Sequence, residues 1–351
     1  MSGPISTRKW VDPPALLVAA LGVGFAVWLV LSASAPVDFD LTLFIKTGAD
    51  STATRHEIEG LLGPVVLAPG LGHDGQAFFL LAQDPFLLEA GRYTASMEDP
   101  AYRARRMLYP AIAGLLGLLS PRAIVTGLVL VNVLAMGVGS FFTARLAQVT
   151  GRSGWLGLAF AANIGMIYEL LVDGGGLLAW GLAVGGLLYL VQGRPGRAGL
   201  LLTGAVLARE LMLLVVVGAA LWQRRGRGLL ALVVPPITAI AVWMAWVALR
   251  LGGAGITPQR FGPPLRGLLD VIGAWELVDY LVAGAVAASS AVVIRSWWRF
   301  RDPIATSVLG FPVVALFLSS LVWVRFSDFG RVLAPLITAA LVAASPVMAE
   351  R

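Results

Sequence analysis

Long apolar runs alternate with short basic or polar segments along most of the chain. The runs cover residues 14–35, 123–144, 155–171, 177–191, 198–222, 229–249, 278–294, 304–322 and 332–349. An α-helix of about 20 apolar residues crosses the hydrocarbon core of a bilayer, whereas a membrane barrel shows short alternating segments. The pattern predicts an all-α polytopic membrane protein, with residues 1–351 forming one membrane domain.

The run at residues 198–222 has charged residues at its midpoint, Arg209 and Glu210, and basic residues at both ends. Each half spans about 17 Å as a helix, too little to cross alone. We expect a hairpin of two short helices, which brings the total to ten membrane helices. The alternative is one crossing with a buried Arg–Glu pair. Residues 107–120 are also too short to cross, and we expect them to lie at the interface or re-enter.

Basic residues concentrate in alternate loops, which indicates the orientation in the membrane. The clusters are Arg145/Arg152, Arg194/Arg197, Arg224/Arg225/Arg227 and Arg295/Arg299/Arg301. With both termini, these segments hold thirteen basic against three acidic residues; the remainder holds thirteen against seventeen. The positive-inside rule then predicts that both termini lie in the cytoplasm. Residues 36–106, 173–176, 250–277 and 323–331 would face outside.

The composition supports a membrane protein and removes several functional classes. Hydrophobic residues make up 58% of the chain and charged residues 13%, with a mean hydropathy of +0.83; soluble domains carry about 25% charged residues. The lack of cysteine excludes disulfides and thiolate metal sites. The net charge of +6 is scattered among short loops, so we expect the lipid bilayer and no nucleic acid as a partner.

The polar segment at residues 36–106 is where chemistry is expected, because it holds ten of the twenty Asp and Glu residues. Asp84-Pro85 and Asp99-Pro100 each predict a helix N-cap followed by proline at the first helical position. Asp74 is the leading catalytic candidate. It is also expected to cap a helix that begins at Gly75, which would hold its carboxylate rigidly.

The same segment carries a family resemblance. It reads Asp74-Gly75-Gln76-x-Phe78-Phe79-x-x-Ala82-x-Asp84-Pro85, followed by Tyr102-x-x-x-Arg106-x-Leu108-Tyr109-Pro110. With Arg209-Glu210 in mid-chain and Arg331 before Pro335, the chain resembles bacterial GT-C superfamily polytopic glycosyltransferase-like proteins, some described as cell-surface glycopolymer formation proteins. It departs from them at His73, where tyrosine is common, and at Leu211, where a small hydroxyl residue is usual.

The resemblance implies a glycosyltransferase of a bacterial cytoplasmic (inner) membrane with a GT-C-like fold. Such an enzyme transfers a sugar from a polyprenyl-phosphate-linked donor to a glycan or lipid acceptor at the external face. A carboxylate must accept the proton of the acceptor hydroxyl, and cations must hold the leaving phosphate. Asp74 would be the base. The expected substrate-binding residues are Gln76, Arg103, Arg106, Tyr109, Arg209, Glu210, Arg325 and Arg331, with Arg105 also available for phosphate.

Several of these residues also have a simpler interpretation. Arg103, Arg105 and Arg106 could be solvated charges that balance Glu98 and Asp99, and Arg331 could anchor a helix at the interface. Glu169 and Asp173 flank the end of a short helix, where a wet turn is favoured over a cavity. His56 and His73 lack a metal-ligand spacing, so no metal and no cofactor are predicted, although a divalent metal stays open.

Two other functions remain compatible with the sequence. A transporter or flippase of lipid-linked glycans would also use half-helices and charges within the membrane. Against it, the chain shows no inverted repeat, and its polar residues gather toward one face. The other alternative is a scaffold without catalysis in a glycopolymer assembly complex. A nucleotide-sugar donor is disfavoured because no glycine-rich phosphate loop lies on the cytoplasmic side.

Overall fold

The computed structural model describes residues 13–118, 120–223, 226–253 and 260–345. The N-terminal basic residues, Arg224, Arg225, the end of the last apolar run and part of the 250–277 loop lie outside the described residues. The described chain is almost entirely helical, and it confirms an all-α membrane protein. Five helices are long and apolar enough to cross a bilayer, and a sixth crossing arises if one bent helix pair counts as a single span.

The first half of the chain contains one long helix at each end and short helices between them. Its helices are α1 (Pro13–Ser34), α2 (Thr42–Ile45), α3 (Thr52–Leu62), α4 (Asp74–Gln83), α5 (Ala90–Thr94), α6 (Pro100–Ala104), α7 (Leu108–Leu116) and α8 (Pro121–Val149). Within the polar segment, two short strands, β1 (Thr47–Gly48) and β2 (Leu67–Ala68), pair in parallel, with Thr47 opposite Leu67.

The second half alternates long helices with broken ones. It contains α9 (Leu158–Ala161), α10 (Ile164–Leu171), α11 (Gly176–Val191), α12 (Pro195–Ala208), α13 (Leu213–Gln223), α14 (Arg227–Leu251), α15 (Arg266–Val271), α16 (Leu277–Phe300), α17 (Pro303–Ser307), α18 (Gly310–Phe317), α19 (Ser320–Trp323) and α20 (Phe326–Ala344). The core lies around α8 and α11, which pack on each other and enclose Trp180, Phe160 and Met136.

The long crossings are α1, α8, α14, α16 and α20, each of 19 residues or more. The bent pair runs from Gly154 to Leu171, with 49° between its two parts. It breaks because the Asn163 side chain accepts a hydrogen bond from Gly165 N (2.9 Å) and donates to the Ala334 carbonyl (2.8 Å). The continuous apolar run at residues 155–171 therefore contains a turn, which hydrogen bonds to a neighbouring helix stabilise.

The break predicted at Arg209-Glu210 is present. Helix α12 ends at Ala208, Arg209 is extended, and a 3₁₀ turn at Glu210–Met212 leads into α13. The two helix ends remote from the break, the start of α12 and the end of α13, also lie close together. A side chain on Gly228 would lie 3.0 Å from both Pro195 Cγ and Gln223 Nε2. The segment therefore returns to the place where it started, as a hairpin does.

The polar segment folds into α2–α6, which cover one end of the helices that follow. Two expected helix starts differ in detail. Asp84 follows α4 and accepts hydrogen bonds from Leu88 N (2.9 Å) and Glu89 N (2.6 Å), so it closes a turn and does not begin a helix. Asp99 does occupy the N-cap position of α6, but its side chain makes no capping hydrogen bond.

Candidate active site

Four arginines and three carboxylates form a continuous chain of opposite charges where the polar segment meets the membrane helices. The charges alternate in the order Arg209, Glu169, Arg331, Asp74, Arg106 and Glu210, and Arg103 adds a third guanidinium at Asp74. They come from α4, α6, the turn after α6, α10, the hairpin break and α20. This pairing offsets the large cost of keeping ionised groups in a poorly solvated place.

Asp74 is the centre of the charge chain. It is the first residue of α4, so the expected role as N-cap is wrong: His73 occupies that position. The carboxylate accepts hydrogen bonds from Arg331 Nη2 (2.8 Å) and Arg106 Nη1 (3.3 Å), and it also pairs with Arg103. Its side chain keeps 14% of its accessible surface. It is thus held rigidly and stays open on one side.

The loop before Asp74 is fixed by Gly72 and Gln76. Gly72 has a φ of +76°, and a side chain there would collide with the Lys46 carbonyl and with Gly48 N. The Gln76 amide accepts from Gly48 N (3.0 Å) and donates to the Leu71 carbonyl (2.7 Å). Gln76 was expected to bind substrate, but its amide is occupied in supporting the loop that positions Asp74.

Glu169 lies beneath Asp74 and is 1% exposed. One carboxylate oxygen accepts from Arg209 Nη1 (2.6 Å) and Arg331 Nε (3.1 Å), and the other accepts from Gly176 N (3.0 Å). The expectation of a wet turn is wrong for Glu169 and also for Asp173, which is fully buried. Because Arg331 bridges Glu169 and Asp74, the buried carboxylate sets the position of a guanidinium that contacts the candidate base.

The glycines of the turn after α10 leave room for the Glu169 carboxylate. A side chain on Gly174 would collide with Glu169 Oε2, and one on Gly176 would lie 2.6 Å from Glu169 Oε1 and 2.8 Å from Arg209 Nη1. Burial of an ionised group requires close partners, and only glycine leaves room for them here.

We expect Gly174→Ala to destabilise the protein and to lower its activity. The added methyl group displaces a carboxylate that three hydrogen-bond donors hold in place. Gly60→Ala is the control, because Gly60 is a helical glycine with no atom near its added carbon, and there alanine adds roughly 0.5–1 kcal/mol of stability. Thermal unfolding in detergent measures both. Equal melting temperatures for the two variants would refute the proposed fit.

Glu210 and Tyr102 hold Arg106 on its other side. Glu210 makes a forked pair with Arg106, with Nε–Oε2 at 3.1 Å and Nη2–Oε1 at 3.3 Å, the arrangement that best fits a guanidinium to a carboxylate. Arg106 Nη2 also donates to the Tyr102 hydroxyl (2.6 Å). Arg260, from the segment before α15, stacks 4.6 Å from the centre of the Tyr102 ring.

A cavity of about 180 Å³ opens beside these charges. Its polar lining residues are Asp74, Tyr102, Arg105, Arg106, Arg209, Glu210, Arg260, Asp328 and Arg331. Its apolar lining comes mainly from α18, α19 and α20 and includes Val314, Leu318, Leu321, Val322 and Val332. The cavity therefore suits a molecule with an anionic group next to a hydrocarbon portion.

The cavity carries an excess of positive charge. Arg103 and Glu169 belong to the same network, so six arginines face four carboxylates: Asp74, Glu169, Glu210 and Asp328. Guanidinium groups bind phosphate through paired N–H donors and are weakly hydrated, which favours them at a partly desolvated site. An anionic ligand would complete the charge balance.

Two residues expected at the site lie elsewhere. Tyr109 is fully buried: its hydroxyl donates to the Leu128 carbonyl (3.0 Å) and accepts from Asn132 Nδ2 (2.9 Å). Arg325 points away and pairs with Asp279 and Glu276, both at 3.1 Å. Their positions in the sequence suggested the site, but tertiary packing gives both of them structural partners.

His73, next to Asp74, is half-buried beside other cations. Its Nε2 lies 3.3 Å from the Tyr168 hydroxyl. Burial, with Arg331, Lys46 and Arg103 adding to it, lowers the pKa of His73 from 6.5 to about 4. The imidazole is therefore neutral at physiological pH.

We expect acid to destabilise the protein through His73. Below pH 6.5 the unfolded chain binds a proton that the folded chain rejects until about pH 4, so stability falls as the pH is lowered across this interval. His73→Gln should flatten that part of the profile of melting temperature against pH. His56→Gln, which removes the exposed histidine, is the control. An unchanged slope in His73→Gln would contradict this assignment.

The charged cluster is not arranged as a metal site. Within the described ranges, which omit residues such as 119 and 254–259, no group of three or more His, Cys, Asp or Glu side chains could hold a metal ion. The carboxylates of the site instead take guanidinium partners.

The sequence analysis did not place Glu169, Tyr102, Arg260 or Asp328 among the expected site residues. For Glu169 a signal was available: a carboxylate in an apolar run, followed five to seven residues later by three glycines, indicates a buried charge with close backbone partners. For Arg260 and Asp328 the sequence offers no local signal, because each reaches the cavity only through packing of α18–α20 and the segment before α15.

Comparison with known proteins adds no relative. No family model matches the chain, and no curated protein or solved structure matches it either. The family resemblance therefore rests on the motifs quoted from the sequence, and the function has to be argued from the geometry of the charged cavity.

Proposed function

We propose that the protein is a GT-C-like membrane glycosyltransferase that uses a polyprenyl-phosphate-linked sugar as donor. The observation that carries the proposal is the cavity itself, which is lined by Asp74, by guanidiniums that pair with it and by aliphatic side chains. A lipid-linked sugar phosphate has the same two parts, an anionic group and a hydrocarbon chain, joined end to end.

In this mechanism the donor phosphate binds between Arg106 and Arg331, and the first prenyl units lie along the apolar wall. The acceptor hydroxyl attacks the anomeric carbon of the sugar and gives its proton to Asp74. The bond between that carbon and the phosphate oxygen breaks, and its electron pair leaves with the polyprenyl phosphate. Guanidiniums stabilise the charge that develops on the leaving oxygen.

The contacts of Asp74 suggest how the base becomes available. Asp74 supplies the negative charge that Arg106 and Arg331 require. A phosphate in the cavity offers the same guanidiniums a stronger acceptor. Arrival of the donor would release hydrogen bonds from the carboxylate and leave it free to accept a proton from the acceptor. The base then acts only when donor is present.

We further propose ten membrane segments in the arrangement expected from the sequence. The five long helices, the bent pair and the four shorter apolar helices of the described chain support this count. Both termini would lie in the cytoplasm of a bacterial cell, and the site would face outward. The proposed partners are the bilayer, the lipid-linked donor and a cell-surface glycan or lipid acceptor; no cofactor is included.

Cysteine labelling tests the topology without background, because the chain has no cysteine of its own. We expect an impermeant thiol reagent to label Glu98→Cys in intact cells but to leave Gly196→Cys and Gln223→Cys unlabelled. Permeabilised cells should label all three. Labelling at either hairpin end in intact cells would exclude a hairpin that enters and leaves on the cytoplasmic side.

Purified protein in lipid vesicles tests the function directly. With a set of radiolabelled polyprenyl-phosphate sugars and a membrane extract as acceptor, a glycosyltransferase releases polyprenyl phosphate and labels the acceptor. A flippase moves the donor between leaflets without consuming it. If the protein shows neither activity and the deletion strain loses an assembly complex, the scaffold function is favoured.

A further inference from the structure

A second cavity, lined mostly by apolar residues, lies between α13, α14 and α16. It has a volume of about 850 Å³ and apolar walls that include Val217 and Leu221 of α13 and Val233 and Ile237 of α14. Val217, Leu221 and Ile237 are each about half exposed, so the cavity is a groove open to its surroundings. We call it the α13 groove.

One end of the α13 groove is cationic and aromatic. Trp297 and Arg301, at the end of α16, line it there, and the Arg301 guanidinium stacks 4.7 Å from the centre of the Trp297 ring. The adjacent Trp298 and Phe300 are each 73% exposed. Exposed aromatic residues beside arginines mark the headgroup level of a membrane. Arg301 is therefore positioned where a lipid phosphate lies.

The length of the groove matches one lipid chain. Helix α13 has 11 residues, which is about 16 Å of helix, and the hydrocarbon thickness of one leaflet is about 15 Å. The groove follows α13 from Trp222 to Leu213, the first residue of that helix, so its inner end adjoins the Arg209-Glu210 turn.

We propose that the α13 groove binds one acidic phospholipid of the bilayer, with an acyl chain along α13 and its phosphate on Arg301. This goes beyond the proposed glycosyltransferase activity and does not depend on it. The positive charge of Arg301 favours a lipid with a net negative headgroup. In a zwitterionic headgroup the phosphate charge is already balanced by the lipid's own cation, so its attraction to the guanidinium is weaker. The bound lipid fills the space beside the half-crossing helix and stabilises the hairpin.

The test compares two lipids with identical chains, a phosphatidylglycerol and a phosphatidylcholine, added to the protein in neutral detergent. Melting temperature and native mass spectrometry report binding. We expect phosphatidylglycerol to bind about tenfold more tightly, the effect of one charge-assisted contact. Arg301→Gln should remove the difference. Arg299→Gln is the matched control, since it removes an exposed neighbouring charge that does not line the groove.

A second pair of variants tests the groove itself. Val217→Trp fills it and should weaken binding of both lipids, whereas Val242→Trp alters an equally exposed position on α14 outside it. Equal binding of the two lipids by the unaltered protein would overturn the proposal. So would a retained preference in Arg301→Gln, an equal loss in Arg299→Gln, or normal binding in Val217→Trp.

Discussion

Asp74→Glu should leave the protein folded and reduce sugar transfer about a hundredfold or more. Glutamate keeps the negative charge that Arg103, Arg106 and Arg331 require, so the charge chain stays balanced. The longer side chain moves the carboxylate by more than an ångström, and a misplacement of that size costs roughly 10²-fold in rate. Initial rates with a polyprenyl-phosphate-linked donor, at matched levels of folded protein, measure the effect.

Asp74→Asn extends the same test. It removes the proton acceptor, which contributes about 10²–10⁴-fold in rate, but it also leaves three guanidiniums without their central anion, so a lower melting temperature is expected. Asp84→Asn is the control, because it removes a charge from the same segment at a residue that only closes a turn. Full activity in both Asp74 variants would exclude this residue as the base.

Glu169→Gln should cause the largest loss of stability among single substitutions at the site, about 3–5 kcal/mol. Glutamine has nearly the same shape but no charge, so the buried Arg209 loses its carboxylate partner and the buried Arg331 keeps only Asp74. Removal of one member of a buried ion pair costs about this much because the remaining charge is neither solvated nor neutralised. Unfolding in mixed micelles measures the free energy.

Glu59→Gln provides the comparison for Glu169. Glu59 pairs with Arg55 at 2.9 Å one helical turn away, and both side chains are 30% exposed or more. Exposed pairs of this kind contribute at most about 1 kcal/mol. If the two variants are equally stable, Glu169 is better solvated than its position among Gly174, Gly176 and the two arginines implies.

The hairpin break illustrates how far a sequence pattern can be read. Two adjacent charges in an apolar run, with basic residues at both ends, predicted a turn at Arg209-Glu210, and the helix breaks there. The physical reason is local: a charged pair within hydrocarbon is costly, so the chain places it where partners are available. The sequence did not predict the helix break at Asn163, because that break depends on hydrogen bonds to α20.

The amino-acid sequence alone determined that this is an all-α membrane protein. Apolar runs of helical length require a membrane, because hydrophobic burial and the cost of charge in lipid act on local composition. The concentration of carboxylates in one polar segment singled out Asp74, and its role as a base stays a prediction.

Tertiary structure alone decided which charges meet. Arg106 pairs with Glu210 across 104 positions, and Arg331 with Glu169 across 162. It also removed Tyr109 and Arg325 from the cavity and placed Glu169 beneath it. Ion pairing is a property of distance in space, and distant segments approach each other only once the helices pack. A sequence therefore shows which charges need partners, and the fold shows which partners they find.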